Sequence, residues 1–426
     1  MQSLPLFQEG ASPACEWLFL DLNSYFASVE QQERPELRGR PIGIVPALVD
    51  NTCCIAASYE AKAYGVRTGC GTAEAKVLCP HIQFVESRPK LYVQYHLRII
   101  EAVERCIPIS HVMSIDEMAC RLMGRERYLP NANAIAQEIK RSLRSVGDTL
   151  RCSIGLAPNR YLAKVAAEIC KPDGLFSLFT PELPQALYCL ELSDLVGVGN
   201  AMEQRLLTHG ITTVPHLCSL SAEQMRDIWK SVVGERLWHW LRGTDFHDPV
   251  YTRKSLGKQH VLDPKFRTPE FVYRVAQKLL HTAATKLRRL NLWAGGIGAR
   301  VSFLRKQPAS VGVNNDEPFW QAGMRIYECR DTPRLQDHLT ELWRECPKGN
   351  ALSVGVWLFN LIPDELHTLS LFDSDEKRYK ASLVMDQINL RFGRNTIYLG
   401  SVHNVKSAAP TRVAFTNSGI PDLSEF

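Results

Sequence analysis

The chain has no apolar run long enough to cross a membrane, no Cys-x-x-Cys pair and no large net charge. Each absence excludes something. Without a membrane-length run, and with Met1 to Glu16 lacking a basic start and a long apolar middle, a membrane-spanning or secreted protein is not expected; a cytoplasmic one is. Thirteen cysteines is an odd number, and most lie in apolar contexts such as Leu78-Cys79-Pro80 and Tyr188-Cys189-Leu190. They read as small buried hydrophobes in a reducing compartment, not as a disulfide framework or a zinc site. The net charge of +5 excludes a general polycation, but its distribution is uneven. Residues 251–350 hold 18 Lys+Arg against 9 Asp+Glu, leaving 32 against 36 for the rest, so one basic segment sits on a slightly acidic body. Such a segment is the electrostatic footprint of a polyanion-binding surface. At 426 residues and 45% hydrophobic, the chain is expected to form two to four domains.

What is present begins with carboxylates. Asp21 closes the hydrophobic stretch Trp17-Leu18-Phe19-Leu20, and Asp116-Glu117 follow Ser114-Ile115 after another short apolar run. Acidic side chains gathered at the ends of neighbouring buried strands repel one another unless a cation intervenes. Magnesium takes carboxylates, waters and phosphates, and two such ions can clamp the attacking and leaving oxygens of a phosphoryl transfer.

Periodicity places strands at 17–22 and 42–46, a helix Tyr25–Glu33 and a helix-like Tyr59-Glu60-Ala61-Lys62. A helix at 92–106 precedes strands at 110–115 and 118–122. The helix Asn133–Val146, opening on a capping-type asparagine, precedes a strand Leu150–Ile154. This order suits a sheet with helices on one face. Arg160–Cys170 is a helix stopped by Lys171-Pro172-Asp173-Gly174. Short helices follow from about residue 181. There Leu195-Val196-Gly197-Val198-Gly199-Asn200 fails as a dinucleotide fingerprint, but as a helix-hairpin-helix it can bring backbone N–H groups to a phosphate. Residues 255–360 form a second α/β unit, with strands near 257–262, 297–304, 321–327 and 352–360 and helices 269–290 and 333–345. The stretch 306–320 reads as a loop. A last helix, 381–392, precedes a loose C-terminus.

These residues, in this order, resemble the Y-family of DNA polymerases, the translesion enzymes, and within it the bacterial UmuC-like and DinB-like members. Asp21 to Glu30 is similar to the family's first motif, Tyr59-Glu60-Ala61-Lys62 with Gly65-Val66 to its fingers motif, and Ser114 to Glu117 to its second acidic motif. Ser153-Ile154-Gly155, Asn159-Arg160, Ala163-Lys164, Lys171 to Gly174, the Gly197–Gly199 hairpin and Lys254-Ser255-Leu256-Gly257 follow in the family's order.

The resemblance implies an α+β multidomain right-hand fold. A ferredoxin-like palm and small fingers would span 1–180 (fingers about 31–86), a helical thumb 181–250, an α/β little finger 251–362 and a C-terminal tail 363–426. It also implies roles. Asp21, Asp116 and Glu117 would be catalytic and would bind two Mg²⁺ together with the Leu22 carbonyl. Tyr25, Phe26, Tyr59, Lys62 and Lys171 would meet the dNTP, Phe26 as the steric gate against a ribose. Gly197, Gly199, Lys254, Lys258, Arg300 and Arg305 would meet primer-template DNA. Leu369, Leu371 and Phe372, within Thr368 to Asp373, resemble the peptide that docks on the bacterial sliding clamp, and Gln2 to Phe7 is a looser second candidate. A UmuD-like subunit or a recombinase filament are further implied partners. Asn23 stands at the motif's second acidic position, Lys62 where many relatives carry arginine, and Ala56 where relatives often carry a hydroxyl. Two rival readings are a catalytically silent DNA- and clamp-binding adaptor, against which the acidic set argues, and a nucleotidyl cyclase, against which the hairpin and basic segment argue.

Overall fold

The computed structural model describes residues 15–50, 52–246, 253–304, 318–367 and 376–410, together with Ile420 and Leu423. It divides into two compact units, Met1–Asp248 with Val413–Leu423 and Pro249–Arg412 with Ser424–Phe426.

The first unit is built on β1 (Trp17–Leu22), which is buried at every residue and followed at once by α1 (Tyr25–Glu33). A small three-stranded sheet comes next: β2 (Ile42–Val45), β3 (Ala56–Ala57), α2 (Tyr59–Lys62), α3 (Thr72–Leu78) and β4 (Gln83–Glu86), with β2 central. The chain then forms α4 (Pro89–Glu104), β5 (His111–Val112), β6 (Glu117–Arg121), α5 (Leu129–Val146), β7 (Cys152–Ala157), α6 (Arg160–Ile169) and β8 (Leu175–Ser177). The larger sheet has the order β5-β6-β1-β7-β8. Its first four strands follow the ferredoxin-like order, and β8 is added parallel to β7.

Register sets the chemistry. Asp21 lies opposite both Glu117 on β6 and Ser153 on β7, so the end of β1 brings two acidic positions side by side. The expectation of helices on one face is corrected. β1 and β7 are buried throughout, which requires cover on both faces, and α6 lies on the face of Trp17, Phe19 and Asp21. Gly155 permits this, since a Cβ there would stand 1.9 Å from the Ala163 carbonyl oxygen. α7 (Asn200–Thr208), α8 (Val214–Ser219), α9 (Ala222–Trp229) and α10 (Val232–Trp240) share an apolar core with α6. In the hairpin, Gly197 has φ 87° and Gly199 caps α7, but the first arm is only a three-residue 3₁₀ turn, Leu192–Asp194.

Several boundaries differ from the sequence reading. α5 begins at Leu129, with Pro130 in its first turn, so Asn133 lies inside the helix. The strand expected at Leu150 starts at Cys152, and α3, β3 and β4 were not expected. Thirteen free cysteines agree with the absence of disulfides, but Cys189, expected to be buried, is exposed.

The second unit is a four-stranded antiparallel sheet, order β11-β10-β12-β9, from β9 (Ser255–Val261), β10 (Leu292–Phe303), β11 (Phe319–Cys329) and β12 (Ala351–Pro363). α11 (Pro269–Arg289) and α12 (Thr332–Trp343) cover one face, over Ile297, Ala299, Val301, Val354, Val356 and Leu358. On the other face β11 alternates exposed and half-buried residues.

α13 runs Glu376–Phe392, so it begins five residues before the start expected at 381. The chain beyond it is not loose up to residue 410. Val402, Val405, Ala408 and Ala409 join the core of this unit, because Lys278 draws the segment in by donating to the Lys406 and Ala408 carbonyls. Among the described residues no helix is long and apolar enough to cross a membrane.

Candidate active site

A cavity of about 330 Å³ opens where β1 ends, and it gathers the predicted catalytic, metal and nucleotide residues. Asp21, Leu22, Tyr25, Phe26, Tyr59, Lys62, Asp116, Glu117 and Lys171 all line it.

The carboxylates are arranged differently from the expected triad. Oxygens of Asp21, Glu117 and Glu168 lie within 4.8 Å of one another, whereas Asp116 lines the same cavity with Oδ1 accepting from the Ser114 hydroxyl. Glu168 was not singled out in the sequence. It lies on α6 one turn after Lys164, and Lys171 follows just beyond the end of that helix, so all three line the cavity. The set is all-oxygen and part-buried, the donor chemistry that suits a hard divalent cation.

Lysines hold these carboxylates together. Lys171 Nζ lies 2.9 Å from Asp21 Oδ2 and 2.8 Å from Glu168 Oε1, and Lys164 Nζ lies 2.6 Å from Glu117 Oε1. Burial pushes the Asp21 carboxyl up to about 7, although Lys171 pulls it the other way. Against burial, Asp21 and Glu168 hold Lys171 above the usual lysine range, so the bridging ammonium stays charged. Lys62 is lowered, first by burial and then by Lys171, which places two cations on one side of the cavity. Its Nζ sits 4.5 Å from the Tyr59 ring centre.

The walls are fixed by buried polar contacts. Phe26 stacks on Tyr92 with ring centres 4.5 Å apart. The Tyr25 hydroxyl donates to the Tyr92 carbonyl, so Tyr25 offers its ring to the cavity while its hydroxyl is engaged. Glu30, fully buried, accepts from the Tyr92 hydroxyl and from Arg88, tying α1 to α4. His96, also buried, contacts the Ile115 carbonyl at 2.7 Å and steadies the loop carrying Asp116. Burial lowers its pKa, so it is a neutral prop.

Asn23 accounts for itself here. Its Nδ2 donates to Ser153 Oγ and its Oδ1 accepts from the Asp173 amide, fastening the loop that carries Lys171. Lys140 binds the same loop through the Asp173 carbonyl and carboxylate.

None of the other predicted residues that are described is among those lining this cavity. Gly197 and Gly199 lie at the start of α7. In the second unit Lys254 is exposed. Arg300 is exposed on the open sheet face, opposite Gln321 and over the Phe319 ring. Lys258 does not share that face. It pairs with Val356 and has the parity of Leu256 and His260, so it points to the helix-covered side and is half-buried. Arg305, Leu369, Leu371, Phe372 and the Gln2 to Phe7 segment lie outside the described residues.

The chain matches the impB/mucB/samB family over residues 20–168 and that family's C-terminal domain over residues 253–371. It is 33% identical over 403 residues to the DNA polymerase IV of Moorella thermoacetica, covering 91% of this chain and 96% of that one. The DNA polymerase IV of Pelotomaculum thermopropionicum is 29% identical, with 90% and 94% covered. Among solved structures, a Y-family DNA polymerase chimera of Dbh and Dpo4 superimposes with a TM-score of 0.65 at 23% identity, over 82% of this chain and 99% of that one. DinB from Sulfolobus solfataricus does so with 0.54 at 22% identity and the same coverage. The fold is that of a right-hand polymerase. Within that class the chain belongs to the impB/mucB/samB family, the Y-family polymerases of DinB- and UmuC-like type.

Proposed function

We infer that the chain is a template-directed DNA polymerase that extends primers past damaged bases. The observation that carries this is the single cavity in which Asp21, Asp116, Glu117 and Glu168 meet Lys62, Lys171 and Tyr59. Acceptors for cations and donors for phosphates converge there, as nucleotidyl transfer requires.

Asp21, Asp116 and Glu117, with the Leu22 carbonyl, would hold two Mg²⁺. When bound, these supply charge neutralisation at the reacting phosphate and activation of the attacking hydroxyl. In the reaction a bond forms between the primer 3′ oxygen and the α-phosphorus, the bond to the bridging oxygen breaks, and pyrophosphate leaves. The chain's residues bind and orient. Lys62, Lys171 and Tyr59 receive the triphosphate, and Lys171 exchanges its carboxylate partners for phosphate oxygens of the same charge. Phe26, held flat by Tyr92, occupies the space a ribose 2′-OH would need. Ala56 and Ala57 line the same cavity, and such small side chains enclose the nascent pair loosely, which suits damaged templates and low fidelity.

The remaining roles belong to the same reading. Gly197 and Gly199 meet the DNA backbone, as do Lys254, Arg300 and Arg305. Leu369, Leu371 and Phe372, or Gln2 to Phe7, dock on a sliding clamp, raising the local concentration on DNA. A UmuD-like subunit or recombinase filament assists in the cytoplasm. Solved relatives described as insertion ternary and post-insertion binary complexes of Dbh DNA polymerase support the DNA and nucleotide assignment.

The test is primer extension with Mg²⁺ on undamaged and abasic templates, comparing the native chain with Asp116→Asn. Extension that is lost in the variant, with progress past the abasic site in the native chain, is the expected result. No extension by either, even with clamp and loader supplied, would overturn the polymerase reading in favour of the adaptor.

A further inference from the structure

The open face of the second unit's sheet carries an aromatic shelf. β12 presents Trp357 and Phe359 to this face, two residues apart and roughly 7 Å along the strand, both half-buried. Their rings do not stand upright. They lie across β10, because Gly298 pairs with Trp357 and Gly296 with Phe359. A Cβ at Gly298 would stand 2.3 Å from Trp357 Cε2, and one at Gly296 would stand 2.4 Å from Phe359 Cε2. The same two rows run on into Gly323 and Arg325 of β11, and on the other side Gly257 of β9 lies against the Trp357 Cβ. Larger side chains here would lift the rings or wall them in. Glycines leave them flat beside a depression of about 260 Å³, lined by Gln321, Ala322, Gly323 and the two aromatics.

The charge around the shelf has one sign. From Gly296 to Ser302, the outward positions of β10 and their partners on β11 and β12 place Arg300 and Arg325 on this face, with no aspartate or glutamate among them. The residues of β9 that continue these rows add none. Both arginines are exposed, and Arg300 sits over the Phe319 ring, 4.1 Å from its centre. Gln321 and Gln259, the polar neighbours, are neutral.

Flat rings beside cations, on a sheet whose other face is covered by helices, suit unpaired bases. Rings stack on the base faces, and guanidinium groups meet the phosphates between them. A duplex keeps its base faces against one another, so it would leave both rings uncovered. An acidic peptide would match the arginines, but a ring laid flat on a sheet offers a stacking plane and not a socket for an aliphatic anchor.

We propose that this shelf binds an unpaired single strand of DNA without regard to sequence, bases stacking on Trp357 and Phe359 and phosphates meeting Arg300 and Arg325. The source of the strand, the unpaired part of a template, rests on the polymerase reading; the binding itself does not.

The test uses the full chain without metal or dNTP, so that catalysis plays no part. Fluorescence anisotropy follows a labelled oligothymidylate of about 12 nucleotides. The control is an oligomer of the same length and charge whose sugars all lack bases, and a blunt duplex is the competitor. Two variants are made, Trp357→Leu with Phe359→Leu, and Arg300→Ala with Arg325→Ala. Oligothymidylate should bind more tightly than the baseless oligomer. The leucine pair should weaken oligothymidylate binding about tenfold or more and leave the baseless oligomer unchanged. The alanine pair should weaken both and reduce the log–log salt slope by about 1.4. Ultraviolet crosslinking of the native chain, which needs no variant, should attach oligothymidylate at Trp357 or Phe359. Equal binding of the two oligomers, unchanged affinity in the leucine variant, or crosslinks confined to other segments would overturn the proposal. So would a duplex that displaces the probe as well as unlabelled single strand does, which would assign the face to the duplex backbone. The expected binding in a chain that extends no primer would uphold the shelf and remove the polymerase reading alone, and extension by a chain that fails these binding criteria would remove the shelf alone.

Discussion

At Lys171 a single ammonium bridges Asp21 and Glu168, placing a cation between two carboxylates. A metal ion must displace that contact or share it, and Asp21 must be ionised to bind. With the Asp21 carboxyl at about 7, divalent affinity should fall as pH drops below 7, where the proton competes, and level off above it. Mn²⁺ titration by calorimetry in buffers of different ionisation heat should show proton release at pH 6.5 and little at pH 8. Because Lys171 lowers the Asp21 value, Lys171→Gln should move this transition to higher pH. Glu168→Gln should weaken Mn²⁺ binding by roughly 10- to 100-fold, the range seen when a group supporting a metal site is removed, and an unchanged binding curve would deny Glu168 any part in the site. Asp21, Glu117 and Lys171 were legible in the sequence through their motifs. Glu168 was not, since an isolated helical glutamate near two lysines reads as a solvated ion pair. His96 was hidden as well, because its partner is a backbone carbonyl 19 residues away.

The contact between α6 and β7 decides whether those side chains reach the cavity. Gly155 has no room for a methyl group, which would also stand 2.5 Å from the Ala167 amide. Gly155→Ala should therefore push α6 outward, cost about 2 kcal/mol of stability, and carry Lys164 and Glu168 out of register. Thermal unfolding and primer extension should fall together. A variant of native activity would mean that α6 is free to slide. Long periodic elements such as α1, α6 and α11 were read from sequence to within a residue or so. Some of the short ones were missed. β3 has two residues and β4 four, too few for periodicity, and they form only because β2 lies between them. α5 was misplaced because Pro130 fits the first turn of a helix and there acts as a start, not a break.

For the molecule as a whole, net positive charge is concentrated in residues 251–350 of the second unit, and the parity of its strands decides which charges face outward. Arg300 is exposed on the open sheet face and Lys258 is turned to the helices. Arg300→Ala should reduce the salt dependence of DNA affinity by about one unit of log–log slope, while Lys258→Ala should leave it nearly unchanged. Anisotropy titrations with primer-template DNA across a range of salt would check both, and equal effects would remove the distinction between the two faces. The basic segment was visible in composition, but which of its residues point outward was not, because that depends on strand register.

The same unit also fixes where the chain may safely be cut. The family match ends at residue 371, yet Val402, Val405, Ala408 and Ala409 are interior residues and Lys278 holds the carbonyls of Lys406 and Ala408. A protease acting between 393 and 410 would strip apolar cover from α11 and leave Lys278 without its acceptors. The segment 402–409 is thus a keystone: the second unit cannot close its interior until that segment is in place.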